Sequence, residues 1–175
     1  MIHLSVVCCG RAVPLLWRVL EHGSATVAFK EYKGLLRKAR WLLRHHPDVM
    51  LLADRGFANH ELMHWLRHSR WHYCLRLPGD VLLHGLRRYP IAVATIYPPL
   101  SEARLYKVVR RGKLPPATHR RNVGLWSDGT HRCNLVLASV QGAKESWAVI
   151  TDEAPTLQTL WQYALRFRVE ELLME

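Results

Sequence analysis

Leu51-Leu52-Ala53-Asp54-Arg55-Gly56-Phe57 ends a short apolar run on a carboxylate. The run predicts a buried strand over 48–53, with Asp54 at its C-terminal end. In open α/β sheets that end is where ligands collect. Working outward, Asn59 is placed to N-cap a helix running to His68, and 71–77 reads as the next strand. Upstream, residues 31–46 repeat Leu35, Leu36, Ala39, Leu42 and Leu43 at helical spacing. Lys33, Arg37, Lys38, Arg40 and Arg44 occupy the other positions, which reads as a solvated outer face. Strands alternating with helices indicate an α/β layer architecture.

Towards the N-terminus, Ile2–Cys8 and the run from Ala12 to Leu20 flank Gly10-Arg11 and read as a hairpin. Pro14 lacks an N–H and pushes its strand to an edge. Adjacent Cys8 and Cys9 read as buried small apolar residues. Cys8, Cys9, Cys74 and Cys133 make no C-x-x-C pair, which fits a reduced, cytosolic compartment. Towards the C-terminus, 147–150 is a last strand, and Thr151-Asp152-Glu153-Ala154-Pro155 is expected to start a final helix. Leu157, Trp161, Ala164, Leu165 and Leu172 form one arc of that helix, with Arg168 inside it and Tyr163, Arg166 and Glu170 opposite.

Between these two parts the character changes. From Pro78 to Glu145, Pro and Gly recur between short β-type runs at 91–97, 105–109 and 133–140, which predicts a β-rich insertion. The chain then divides into 1–78 and 146–175, the two parts of one core, and 79–145, the insertion. Eleven Lys and Arg in 79–145 stand against Asp80, Glu102, Asp128 and Glu145, a surplus of seven positive charges. The whole chain carries +11 at neutral pH, with a pI of about 10.0. That balance favours nucleic acid or another anionic surface as partner. Tyr89, Tyr97, Tyr106 and Trp126 are interleaved with the cations, either as core or to stack on bases. No apolar stretch approaches the ~20 residues needed to span a bilayer, and the start lacks the form of a signal peptide.

The two acidic sites carry the chemistry. Asp54 ends its strand, and Tyr163-x2-Arg166-x3-Glu170 places a phenol, a cation and a carboxylate on one helix face. Two carboxylates from separate elements, with a cation and a phenol beside one of them, suit divalent-metal phosphodiester chemistry. Taken with the element order and with Gly10-Arg11-Ala12-Val13-Pro14-Leu15-Leu16-Trp17, these motifs make nearly the whole chain resemble the catalytic domain of DDE transposases of the insertion-sequence 4 type. The resemblance implies a ribonuclease-H-like mixed sheet with flanking helices and a β-rich insertion. It implies Mg²⁺ or Mn²⁺ as cofactor, double-stranded DNA at transposon ends and targets as partner, a homodimer in the full-length family, and a cytoplasmic, nucleoid-associated protein. Asp54 matches the family's second catalytic, metal-holding acid and Glu170 its third. Tyr163 and Arg166 match the pair that grips a DNA phosphate.

The family's first acid sits on a central strand ahead of the equivalent of Ile2–Cys8, and here no Asp or Glu precedes Glu21. The signature's lysine falls beyond Glu175. The expectation is therefore a transposase fragment truncated at both ends, its first strand missing, that binds DNA without cutting it. Asp54 and Glu170 are expected to line one small pocket. Two rival readings remain. One is a non-catalytic DNA-binding remnant. The other is a zinc metallopeptidase through His60-Glu61-Leu62-Met63-His64, a literal H-E-x-x-H, although Arg67 and Arg70 stand where the longer form of that motif has Gly and His.

Overall fold

A computed structural model describes residues 1–20, 27–46, 48–86, 88–106, 123–125, 131–139 and 141–172. The N-terminal hairpin is present: β1 (Ile2–Cys8) pairs antiparallel with β2 (Arg11–Arg18). Cys9 and Gly10 both take positive φ, 50° and 78°, which is what a two-residue hairpin turn demands. The pairing shifts register between Leu4 and Ser5, which face Leu16 and Pro14, so Leu15 is the extra residue of a bulge. A bulge beside a proline on an edge strand removes the conflict that its missing N–H would create. Cys8 and Cys9 are exposed on the turn and are not core residues as expected; Cys74 and Cys133 are the buried pair. An apolar run that enters a two-residue turn has nothing to pack against at its tip.

α1 (Phe29–Leu42) follows its pattern closely. Tyr32, Leu35, Leu36 and Ala39 are buried while Lys33, Arg37, Lys38 and Arg40 face out. Burying each such leucine contributes about 1.5–3 kcal/mol. Leu42, at the last turn, is exposed. The Tyr32 ring sits edge-on to Phe29 and Phe57, and its hydroxyl accepts from Asn59 Nδ2 at 2.9 Å. Asn59 caps α2 (His60–Ser69), its side chain accepting from Leu62 N at 2.8 Å. Arg70 closes that helix in the left-handed conformation.

The larger sheet is mixed. β3 (Met50–Ala53) runs parallel to β4 (His72–Arg76), pairing Met50 with His72 through Ala53 with Leu75. α2 makes the crossover that a parallel pair requires. β4 pairs antiparallel with β10 (Trp147–Thr151), and β10 with β9 (His131–Ala138). Between β4 and β9 in sequence come β5 (Leu82–His84), β6 (Ile91–Ala92), β7 (Ala103–Tyr106) and β8 (Val123–Leu125). The sheet order is β3-β4-β10-β9-β8-β5-β6, with β7 also on β9. The strands of 79–145 thus continue the same sheet through β9. The run 91–97 is β only in its first two residues; Val93–Ile96 forms a 3-10 turn.

Among the described residues β3 is paired along one edge only, and the hairpin forms its own two-stranded sheet. The two still share a core: Ile2 belongs to the buried cluster that holds Leu36, Leu51, Leu62, Leu66, Tyr73, Leu135 and Ile150. No helix among the described residues is long and apolar enough to cross a membrane.

The last helix departs most from expectation. It is broken into α3 (Gln158–Ala164) and α4 (Phe167–Leu172), with a turn at Leu165–Arg166. Its apolar arc faces outward: Leu157, Trp161 and Leu165 are exposed, and Tyr163 and Thr159 are buried. α3 lies on β3, β4 and β10, and Tyr163 joins Cys74 and Val149 in a second small core with Met50, Leu52, Trp147 and Leu160. Arg168 is exposed, which its place on the outward arc accounts for. Residues 151–155 do not start the helix: Thr151 ends β10, and 152–155 form a fastened loop. Asp152 accepts from Tyr73 N at 3.0 Å, and Asn134 Nδ2 donates to the carbonyls of Asp152 and Glu153 at 3.3 and 2.6 Å.

Candidate active site

The parallel register decides what meets Asp54. Ala53 and Leu75 are the last paired residues of β3 and β4, so Asp54 and Arg76 leave the same end of the pair side by side. Asp54 is half-buried, with extended backbone, and its carbonyl accepts from Phe57 N at 3.0 Å to start the 3-10 turn Arg55–Phe57. β10 runs antiparallel to β4, so the segment entering β10, with Glu145, arrives at the same end.

α3 supplies the other side. The Tyr163 hydroxyl donates to Asp54 Oδ1 at 3.2 Å, and Arg166 Nε donates to the Tyr163 oxygen at 3.2 Å. Asp54 and Tyr163, 109 positions apart in sequence, are thereby joined with Arg166 in one hydrogen-bonded series. Burial pushes the Tyr163 phenol up to about 12; Arg166 opposes that shift and the Asp54 carboxylate adds to it. The hydroxyl therefore keeps its proton near neutrality and remains a donor to Asp54. Its ring is fixed by edge contacts with Trp147 and Phe167, at 5.5 and 6.4 Å between centroids. The Arg166 guanidinium lies 4.4 Å from the Phe167 ring centroid, a cation–π contact that orients it.

Of the residues that the sequence singled out, Asp54, Tyr163 and Arg166 come together. Glu170 lies on α4, and its side chain is outside the described residues. Much of the basic segment is outside them too: Arg87, Lys107, Arg110, Arg111, Lys113, Arg120, Arg121 and Trp126. Within them, Tyr89 is exposed with the Arg88 guanidinium 5.5 Å from its ring, and Arg104 donates to the Ile96 carbonyl at 3.5 Å. His60, Glu61, His64 and His68 lie on the outer face of α2, with the His64 and His68 rings 4.2 Å apart. Among the described residues no three His, Cys, Asp or Glu side chains gather where they could hold a metal ion.

Sequence reading missed three residues of this end of the sheet. Arg55 Nη1 and Arg76 Nη2 both donate to Glu145 Oε2, at 2.8 and 2.9 Å. The signal available for Arg76 was the parallel pairing of two short strands, which sets Arg76 beside Asp54. Glu145 carried no signal, because its position depends on the antiparallel return of β10.

The family model described as a transposase DDE domain matches residues 2–173, and the chain belongs to that family. A comparison with curated proteins found no match.

Proposed function

For a chain of the transposase DDE domain family, with its transposition role and DNA substrate, we propose a catalytic fragment of the insertion-sequence 4 type. It would cut and join DNA strands at transposon ends by two-metal phosphodiester chemistry. The observation that carries this reading is the Asp54–Tyr163–Arg166 series, which unites a strand-end acid with a phenol and a cation from the distant helix.

DDE transposases generally use divalent metal ions. Asp54 is a hard oxygen donor of the kind that Mg²⁺ and Mn²⁺ take, and Glu170 is proposed as its partner ligand. When bound, the ions activate water or a 3′-hydroxyl and stabilise the leaving oxygen. The protein's part is positioning. Tyr163 holds one Asp54 oxygen, which fixes the carboxylate's rotation. Arg166, oriented by Tyr163 and Phe167, presents donors to a DNA phosphate.

The ribonuclease-H-like reading is supported by the two-sheet arrangement. A central strand paired with both the hairpin and the edge of β3 that is unpaired among the described residues would relieve exposed strand edges. The hairpin itself carries no Asp or Glu. With two acids in place of three, the 175-residue chain is expected to bind DNA without cleaving it. Segment 79–145, proposed as an insertion between core parts 1–78 and 146–175, is expected to supply most of that binding. We place the protein with the nucleoid in the cytoplasm and expect the full-length form to dimerise.

The test is an extended version with an Asp-bearing strand ahead of Ile2 and a lysine after Glu175. It should nick transposon-end DNA with Mg²⁺ or Mn²⁺, and Asp54→Ala or Glu170→Ala should abolish nicking while leaving DNA binding. Nicking that survives Asp54→Ala would defeat the assignment. So would nicking by the 175-residue chain that is lost on Asp54→Ala, since a third ligand would then exist within it.

A further inference from the structure

Arg55 and Arg76 converge on one oxygen of Glu145. Two guanidiniums sharing one anionic oxygen is an arrangement suited to a phosphate as much as to a carboxylate. The three side chains are not equally held. Arg76 leaves β4 with 13% of its side chain exposed, whereas Glu145 is 51% exposed and belongs to a bend before β10. The cation is built into the sheet and the acceptor faces solvent. An exposed ion pair adds little to stability, so holding Glu145 there gains the fold little.

The surroundings favour an anion. Arg55, Arg76 and Arg166 stand against Asp54 and Glu145 at this end of the sheet. Among the described side chains, turning Glu145 away would leave Arg55, Arg76 and Arg166 against Asp54. Tyr97 is half-buried, and burial is the main cause that raises its phenol, with Arg76 and Arg55 opposing the shift and Glu145 adding to it.

We propose that Arg55 and Arg76 form a binding site for a DNA phosphate beside Asp54, and that Glu145 fills it in the free protein as an intramolecular stand-in. DNA must displace Glu145 to engage both arginines, so the carboxylate restrains binding until a strand is seated. The identity of the anion rests on the transposase reading; the oxyanion site itself does not.

The experiment uses the 175-residue chain without divalent metal. Binding to a duplex oligonucleotide is followed by fluorescence anisotropy over a series of salt concentrations. Glu145→Gln keeps the shape and removes the charge, and should tighten binding on the order of fivefold to tenfold. The log–log salt slope should steepen by about 0.9, the value for one more neutralised phosphate. Adding Arg76→Gln should cancel both changes. Should that variant fail to fold, Arg55→Gln, at a more exposed position, replaces it. Glu61→Gln, an exposed acid on the outer face of α2, measures the effect of net charge alone and should change affinity less than about twofold. In a second arm, inorganic phosphate should raise the melting temperature of Glu145→Gln and leave that of the double variant unchanged. Tightening with DNA alone confines the site to a phosphodiester; tightening with DNA together with the phosphate shift makes it a general oxyanion site; both support the proposal. No tightening, or tightening that survives Arg76→Gln or is matched by Glu61→Gln, overturns it. None of these readouts involves cleavage. Failed nicking by the extended version therefore sinks the transposase chemistry alone, and unchanged binding by Glu145→Gln sinks the phosphate site alone.

Discussion

α1 and α3 carry apolar arcs of similar clarity in the sequence, yet one arc faces the core and the other faces solvent. In α1, Leu35, Leu36 and Ala39 are buried and the cations are outside. In α3, Trp161 is exposed, as are its flanking neighbours Leu157 and Leu165, while a tyrosine and a threonine lie inside. Amphipathic pattern sets helix rotation only when nothing stronger does. α3 is short, and the loop before it is fastened to β4 and β9 through Asp152 and Asn134. With its entry fixed, α3 presents Thr159 and Tyr163 to the sheet, and Tyr163 finds partners for its hydroxyl there. A local rule is broken where a polar side chain has a specific task.

Core truncation tests the comparison most strongly. Leu36→Ala in α1 removes a side chain that is 3% exposed and should cost about 2–5 kcal/mol in urea unfolding. A loss below 1 kcal/mol would mean that α1 is held by something other than its apolar face. Tyr163→Phe should come next. It keeps the buried ring and removes the hydroxyl between Asp54 and Arg166, for a loss of about 1 kcal/mol. Half-buried Asp54 can take water in exchange, which keeps the cost modest. In the extended version the same change should weaken nicking more than it weakens the fold. An equal effect on both would reduce Tyr163 to a packing residue.

What was legible followed the same division. The hairpin, the amphipathic α1, the Asn59 cap and strands β3, β4, β9 and β10 are each written in local pattern, and local pattern survived folding. Asp54, Tyr163 and Arg166 were legible as a motif, and the structure joins them. The inverted arc of α3 was not, because its cause lies in Asn134 and Asp152. Arg76 and Glu145 were not, because their meeting needs a parallel and an antiparallel pairing at once. Cys8 and Cys9 misled because an apolar run does not announce where its turn falls.

A smaller effect is expected at the outward arc itself. Trp161 is 73% exposed, so Trp161→Gln should shift unfolding by no more than about 0.5 kcal/mol. A cost near that of Leu36→Ala would show that the arc is covered in solution, and α1 and α3 would then follow one rule after all.

The smallest effect concerns the fastening of the loop. His72 Nδ1 lies 2.8 Å from Asp152 Oδ2, and the hydrogen bond to Asp152 holds the His72 pKa above its usual value, with Glu153 and Asp48 adding to the shift and burial opposing it. A raised histidine stabilises the fold in its protonated form. That contribution is complete below the unfolded pKa of about 6.5 and is lost as pH rises through the higher folded value. Both side chains are more than a third exposed, so solvent screens the pair and its contribution is small. The expected outcome is a shallow fall in melting temperature as pH rises from about 6 towards 8. His72→Asn should flatten it while Asp152 continues to accept from Tyr73 N. A melting temperature that climbs over this window, or a fall unchanged in His72→Asn, would assign the pH dependence elsewhere. A fall that steepened in Asp152→Asn would reverse the sign of the pair, since removing the carboxylate must bring His72 back towards its ordinary value.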